Sequence, residues 1–144
     1  MIELCEFTSA EYDEVVALWR AAEGLVLRDV DQREPIARYL TLNAGLSFVA
    51  RDQGRIVGAV LCGTDGRRGY LQHLAVAPTH RRRGIGRALA QRCVEALSQR
   101  GLDKCHLMVL LQNESARAFW RRLGWQERDD VCLMSHVQSG SPFA

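Results

Sequence analysis

The stretch YLQHLAVAPTHRRRGIGR, Tyr70 to Arg87, decides the fold. Its first half reads as a strand ending at Pro78, and its second half opens a helix near Gly84. Between them stand Arg81, Arg82 and Arg83, then Gly84 and Gly86 one residue apart, then Arg87. Where a strand turns into a helix, the first helical N–H groups have no intrahelical partner and the helix dipole is positive. A phosphate fits that place. Glycine at 84 and 86 would let a phosphate reach the backbone N–H groups, and arginines would add charge-assisted, often bidentate bonds. The plain alternative is a turn followed by a solvated basic face.

Outward from this stretch the pattern stays regular. The helix runs to about Gln99 with Ala88, Leu89, Val94, Ala96 and Leu97 on apolar faces, and Gly101 is a stop. KCHLMVLL at 104–111 reads as a buried strand. Strand 70–78, helix and strand 104–111 make one βαβ unit, which predicts a parallel pair with a right-handed connection. Upstream, LSFVARD at 46–52 and GRIVGAVLCGT at 54–64 flank a tight turn at Asp52–Gly54, a β-hairpin. GTDGRRG at 63–69 is the next turn, so three antiparallel strands stand in succession. IELCEF at 2–7 is a further strand, and Thr8 with Glu11 resembles a capping box. Tyr12, Val15, Val16 and Trp19 then fall at helical spacing. Residues 24–34 read as a loop or short helical turn, and Pro35 to about Leu42 as a second helix. After Asn113 a helix carries Ala116, Phe119, Trp120 and Leu123 on one stripe and ends at Gly124, and DVCLMSHV at 130–137 reads as the last strand. The order is β-α-α-β-β-β-α-β-α-β, an α/β (α+β) chain with a mixed sheet.

With 144 residues the chain predicts one domain over 1–144, large enough for its own core. Its 47% hydrophobic and 25% charged residues match an ordinary globular protein. No apolar run approaches the roughly 18 residues that would span a bilayer, and MIELCEFTSAEYDEVV lacks the basic and apolar blocks of a signal peptide. A cytoplasmic location with no membrane partner is the expectation. The net charge of +2 excludes a general polyanion binder, so the basic character is local. Cys5, Cys62, Cys93, Cys105 and Cys132 form no CxxC pair, and four lie in apolar segments, which predicts reduced, buried thiols. His106 and His136 have no ligand spacing, so no metal is expected.

Neither common nucleotide motif fits. A P-loop ends in GK[ST], but Arg87 follows Gly86, and a Rossmann fingerprint needs a third glycine where Leu89 stands. Instead, Arg81-x-x-Gly84-x-Gly86, after LAVAP at 74–78, resembles the acyl-CoA pyrophosphate loop of the GNAT superfamily of N-acetyltransferases, [QR]-x-x-G-x-[GA]. NESARAFWRRLGWQE at 113–127 resembles that family's second motif, N-x-x-A-x-x-(F/L)-Y-x-x-x-G-(F/Y). The two motifs cover about residues 70–127.

The resemblance implies a single-domain GNAT-like fold: a mixed central sheet with antiparallel N-terminal strands, a splayed parallel pair, and helices on both faces. It implies acetyl-CoA as co-substrate. The pantetheine arm would pair with Leu74, Ala75 and Val76, and the pyrophosphate would sit on Arg81, Arg82, Arg83, Gly84, Ile85, Gly86, Arg87 and Ala88. Asn113, Ala116, Phe119 and Trp120 would approach the cofactor's far side. The Leu74 backbone N–H would polarise the thioester carbonyl. The acceptor would be a primary amine of a small molecule or peptide, and dimers are common in the family.

The chain departs from the family at its acid and base. Trp120 stands where the family has its tyrosine acid, and an indole N–H cannot deliver its proton at neutral pH. On the strand at 70–78, relatives often carry Glu or His two and four residues before the leucine; here those positions are Gln72 and Tyr70. Alternation puts Tyr70, Gln72 and Leu74 on one face and His73 on the other, against a catalytic His73 unless a β-bulge intervenes. Glu23, in the loop after the first helix, is the other candidate base, though a solvated loop carboxylate is the favoured reading of it. Trp19 and Trp125 read as core. Two other functions remain beside the enzyme: a catalytically weak CoA-binding or regulatory module, and a nucleic-acid binder, the latter opposed by the lack of an aromatic stacking platform beside the arginines.

Overall fold

The computed structural model describes residues 1–144, which form two compact units, Met1–Met108 and Val109–Ala144. The first unit holds one five-stranded sheet in the order β1 (Ile2–Glu6), β2 (Phe48–Asp52), β3 (Arg55–Thr64), β4 (Gly69–Val76) and β5 (Cys105–Leu107). The first four strands are antiparallel to their neighbours, and β4 and β5 are parallel. The mixed sheet is the one the strand pattern predicts. Gln53 and Gly54 in the β2–β3 turn both have positive φ, +50° and +79°, the geometry of a tight two-residue hairpin.

One face of the sheet is covered by α1 (Tyr12–Ala21) and α2 (Arg33–Leu42). There Phe7, Val15, Val16, Trp19, Ile36 and Leu40 pack on Val49, Ala59, Leu61 and Ala75. Trp19 is fully buried; truncating such a residue to alanine costs about 3–5 kcal/mol. α3 (Ile85–Gln99) lies on the other face, burying Ile85, Leu89, Ala90, Cys93 and Leu97. It lies close because Gly58 has no side chain: a Cβ there would meet Ile85 and Leu89 at 3.0 and 3.1 Å. No helix is long and apolar enough to cross a membrane.

The helix after Thr8 begins with a 3₁₀ turn, Ser9–Glu11, and Thr8 bonds the Glu11 carboxylate at 2.8 Å. The loop before α2 contains a second such turn, Asp29–Asp31, so the 24–34 segment is the short helical turn its polarity allowed.

Two expected strands come out differently. β5 covers only Cys105–Leu107 of the predicted 104–111, and it pairs with Gly69, Tyr70 and Leu71 alone. From Gln72 onward β4 has no strand partner along its β5 edge. The predicted strand at 130–137 is absent: Val131, Leu133, Met134 and Val137 are exposed and no ladder forms. A strand needs a neighbour for its N–H and C=O groups, and the second unit, whose only regular element is α4 (Glu114–Arg122), contains none. α4 starts where expected, with Asn113 Oδ1 accepting from Ala116 N at 3.1 Å. Gly124, at φ +92°, turns the chain back so that Glu127 bonds Arg117 and Arg121.

Candidate active site

The turn from β4 into α3 keeps its donors free. A 3₁₀ turn at Pro78–His80 leads to Arg82 at φ +60° and to the N-cap Gly84 at φ +78°, which supplies no side-chain cap. The first α3 bond into this turn runs from Ala88 N to Gly84 O, leaving the N–H groups of Ile85, Gly86 and Arg87 without a cap. Arg81, Arg82, Arg83 and Arg87 are exposed around them and take part in no ion pair. Uncapped helical donors ringed by unpaired guanidiniums suit a phosphate, so the residues present fit the pyrophosphate of an acyl-CoA. The turn is anchored by a pair sequence reasoning did not find: His80 Nε2 lies 2.8 Å from Asp52 Oδ2 at the end of β2. This bond holds the Asp52 carboxyl below its usual range, helped by the N-terminal ammonium and the Arg83 charge.

On β4 the register slips. Ala59 opposes Ala75 and Leu61 opposes Gln72, so Val60 faces the two residues His73 and Leu74. This is a β-bulge. His73 takes φ +54°, a left-handed conformation that histidine adopts more readily than most side chains. The extra residue corrects the alternation: His73 is carried to the α1–α2 face, alongside Tyr70 and Gln72. Its ring packs edge-on against Trp19, with centroids 5.0 Å apart, and Trp19 Nε1 donates to the His73 carbonyl at 3.2 Å. Trp19 is thus core, as expected, and also a clamp on the bulge.

His73 Nε2 lies 2.8 Å from Asp31 Oδ1. Asp31 is buried, its Oδ2 accepting from the Arg28 N–H at 2.8 Å and its carbonyl from Tyr12 Oη at 2.7 Å. Sequence reasoning gave Asp31 no role of its own. No local signal marks a carboxylate that meets a histidine 42 residues away.

Two hollows of about 180 and 190 Å³ share Tyr39 and Gln72 on this face. Asn43, Gly63, Thr64, Asp65 and Tyr70 complete the first, and Asp31, Arg38, Leu42 and Leu61 are among those lining the second. Tyr70 and Gln72, which stand where relatives often carry Glu or His, are here. Tyr70 Oη donates to Asp65 Oδ2 at 3.3 Å. Glu23 is exposed and lines neither hollow, and His73 lines neither hollow either, although its neighbour Gln72 lines both and its partner Asp31 lines the second. Leu74 and Val76 are half-buried and Ala75 is buried, on the β4 segment that β5 leaves unpaired.

In the second unit, Phe119, Trp120 and Trp125 form an edge-on aromatic series with centroid spacings of 5.0 and 5.1 Å. Asn113 and Ala116 are used together in the cap of α4. All five cysteines are free. Cys62 and Cys93 are buried as expected, Cys5 and Cys105 are half-buried, and Cys132 is exposed, since the strand that was to bury it does not form.

The model of the Acetyltransferase (GNAT) family matches residues 10–125. The chain belongs to the GNAT acetyltransferase family. Among curated proteins, this acetyltransferase is 34% identical over 134 residues to Acetyltransferase SG1711 of Sodalis glossinidius, covering 92% of this chain and 93% of that one. Among solved structures it superposes on the PaiA N-acetyltransferase of Thermoplasma acidophilum, in complex with coenzyme A, with a TM-score of 0.79 at 16% identity, over 90% of this chain and 92% of that one. It superposes on the aminoglycoside 6'-N-acetyltransferase AAC(6')-Ig of Acinetobacter haemolyticus with a TM-score of 0.74 at 18% identity, over 94% and 98% of the two chains. At those identities the structural likeness concerns the fold.

Proposed function

We propose that this GNAT acetyltransferase is an N-acetyltransferase that moves the acetyl group of acetyl-CoA to a primary amine by direct attack in a ternary complex. The observation that carries the reading is on β4 and its turn: an edge left unpaired after Leu71 runs into a helix start with free donors and four unpaired arginines. Leu74, Ala75 and Val76 offer backbone groups to the pantetheine amides as an added strand would. The Arg81–Ala88 segment takes the pyrophosphate. Asn113, Ala116, Phe119 and Trp120 are assigned to the cofactor on their motif alone. The whole of 1–144 is taken as one acetyltransferase domain. The PaiA relative in complex with coenzyme A supports the cofactor, and the aminoglycoside acetyltransferase supports a small cationic amine as acceptor.

In the reaction, the amine nitrogen forms its bond to the thioester carbon while the Leu74 N–H stabilises the oxygen, and the carbon–sulfur bond then breaks. An ammonium substrate gives up two protons: one passes to solvent, the other to the departing thiolate.

Calorimetric titration with acetyl-CoA, wild type against Gly84→Glu, tests the reading. Micromolar binding abolished by the carboxylate is expected; a wild type that binds no acetyl-CoA overturns it. Trp120 in place of the family's tyrosine favours a second reading, a CoA-binding module without turnover, which binding without acetylation across an amine panel would establish.

A further inference from the structure

We propose that His73 is the general base that deprotonates the acceptor amine, through Nδ1, and that Asp31 is the positioning residue that fixes its tautomer. The proposal rests on the acetyltransfer reading above. Three observations carry it. First, the bulge turns His73 onto the face that carries Tyr70, Gln72 and the two hollows, one residue before Leu74. Second, His73 Nε2 lies 2.8 Å from the Asp31 carboxylate, which cannot donate while ionised, so the proton of the neutral ring sits on Nε2 and the lone pair on Nδ1. Nδ1 makes no hydrogen bond to the protein, and the side chain is 20% exposed. Third, Asp31 is held in place: its side chain is 5% exposed, its second oxygen is bound by the Arg28 N–H, and its carbonyl by Tyr12 Oη. A carboxylate so buried would be costly without a partner that can carry positive charge, and the imidazole is that partner. The arrangement has the parts of a base and its orienter. His73 itself lines neither hollow, but Asp31 and the preceding Gln72 both line the second, so an acceptor seated there lies beside the dyad.

The protons balance. His73 Nδ1 takes one proton from the ammonium, giving a free amine and an imidazolium facing Asp31. After attack, the nitrogen's second proton goes to the CoA thiolate, and His73 releases the first to solvent.

The test has an arm that needs no acceptor. Long-range ¹⁵N–¹H spectra of the imidazoles are expected to show neutral His73 as the single Nε2–H tautomer in wild type and as a mixture in Asp31→Asn. A proton on Nδ1 in wild type overturns the proposal. The second arm offers neamine, putrescine and an N-terminal alanyl peptide to the enzyme and follows whichever is acetylated. His73→Asn, which tolerates positive φ, is expected to lose about 10²–10⁴-fold in kcat. Asp31→Asn should lose about 10–100-fold, and the double variant no more than His73→Asn alone, because the two act as a unit. Acetyl-CoA affinity should stay unchanged in all three. His73→Gly should regain activity when imidazole is added, a recovery that loss of a structural contact would not give. A fall in kcat under threefold in His73→Asn, or no rescue by imidazole, overturns the proposal. Failure of wild type to bind acetyl-CoA would instead strike the acetyltransfer reading; binding with no amine acetylated would strike its acceptor class, and the tautomer would then decide the dyad alone.

Discussion

Gly63 on β3 faces α2 and lines the first hollow, and its lack of a side chain makes room for Tyr39, which lines both. A Cβ there would land on the Tyr39 hydroxyl, 2.8 Å from Cζ and 2.9 Å from Cγ of Asn43. Asn43 cannot yield: it is buried, its Oδ1 accepts from Thr64 N at 3.0 Å, and its Nδ2 donates to the Tyr39 carbonyl at 3.2 Å. In Gly63→Ala, Tyr39 must therefore swing away. Overpacking of this kind costs about 1–3 kcal/mol. At about 2–4 °C per kcal/mol near this chain length, the melting temperature falls by about 2–12 °C. Tyr39→Phe is the diagnostic partner. The hydroxyl is buried with no hydrogen-bond partner, so its removal breaks no bond. Phenylalanine should be within about 0.5 kcal/mol of wild type or stabilising. In the Gly63→Ala background the same change removes the atom in the worst overlap, so the pair should show a coupling of about 0.5–3 kcal/mol in the recovering direction. Thermal and urea unfolding of the four proteins closes the cycle. Acetyl-CoA affinity should not change, because neither residue lies in the cofactor segment. A neutral Gly63→Ala, or a Tyr39→Phe that costs more than about 1 kcal/mol and adds independently, refutes the reasoning.

Three further outcomes are expected of the same structure. His80 holds the Asp52 carboxyl below its usual value, so the folded pKa lies below the unfolded one. The stabilisation is then fully present above the unfolded value of about 4 and lost as pH falls through the folded value. The stability difference between wild type and Asp52→Asn should shrink as the pH falls below about 4 in urea unfolding. Arg81→Ala should weaken acetyl-CoA binding about 10–100-fold, the size of a lost charged hydrogen bond, as titration at fixed salt would show. Native alkylation and peptide mass mapping should find exposed Cys132 labelled first. Cys105, whose thiol burial pushes up to about 12, and the buried Cys93, pushed higher still by Cys62 and burial, should react last.

Much of the fold was legible because its signals are local. Periodicity placed α1, α2 and α3 and the hairpins to within a few residues, and charge and glycine spacing placed the turn of Arg81 to Arg87 at the start of α3. The strand at 130–137 was not legible, because alternation states a face to be buried and not whether anything buries it. The shortness of β5 has the same cause: apolar residues at 108–111 continue the pattern, but β4 is paired only at Gly69–Leu71.

By itself the sequence determined the order of elements from β1 to α4, the glycine- and arginine-rich turn between β4 and α3 and, through two motifs at their proper distance, the family. Those properties are written in neighbouring residues. Only the tertiary structure decided which face His73 takes and what it meets. One extra residue in a ladder of period two reverses the face of every later side chain in the strand, and the alternation of Tyr70 to Ala75 gave no sign of the bulge. Asp31 reaches His73 across 42 residues because α1 holds both: Tyr12 Oη bonds the Asp31 carbonyl and Trp19 Nε1 bonds the His73 carbonyl. A contact of that kind depends on how helices settle on a sheet, a sum over many distant side chains that no short stretch of sequence contains.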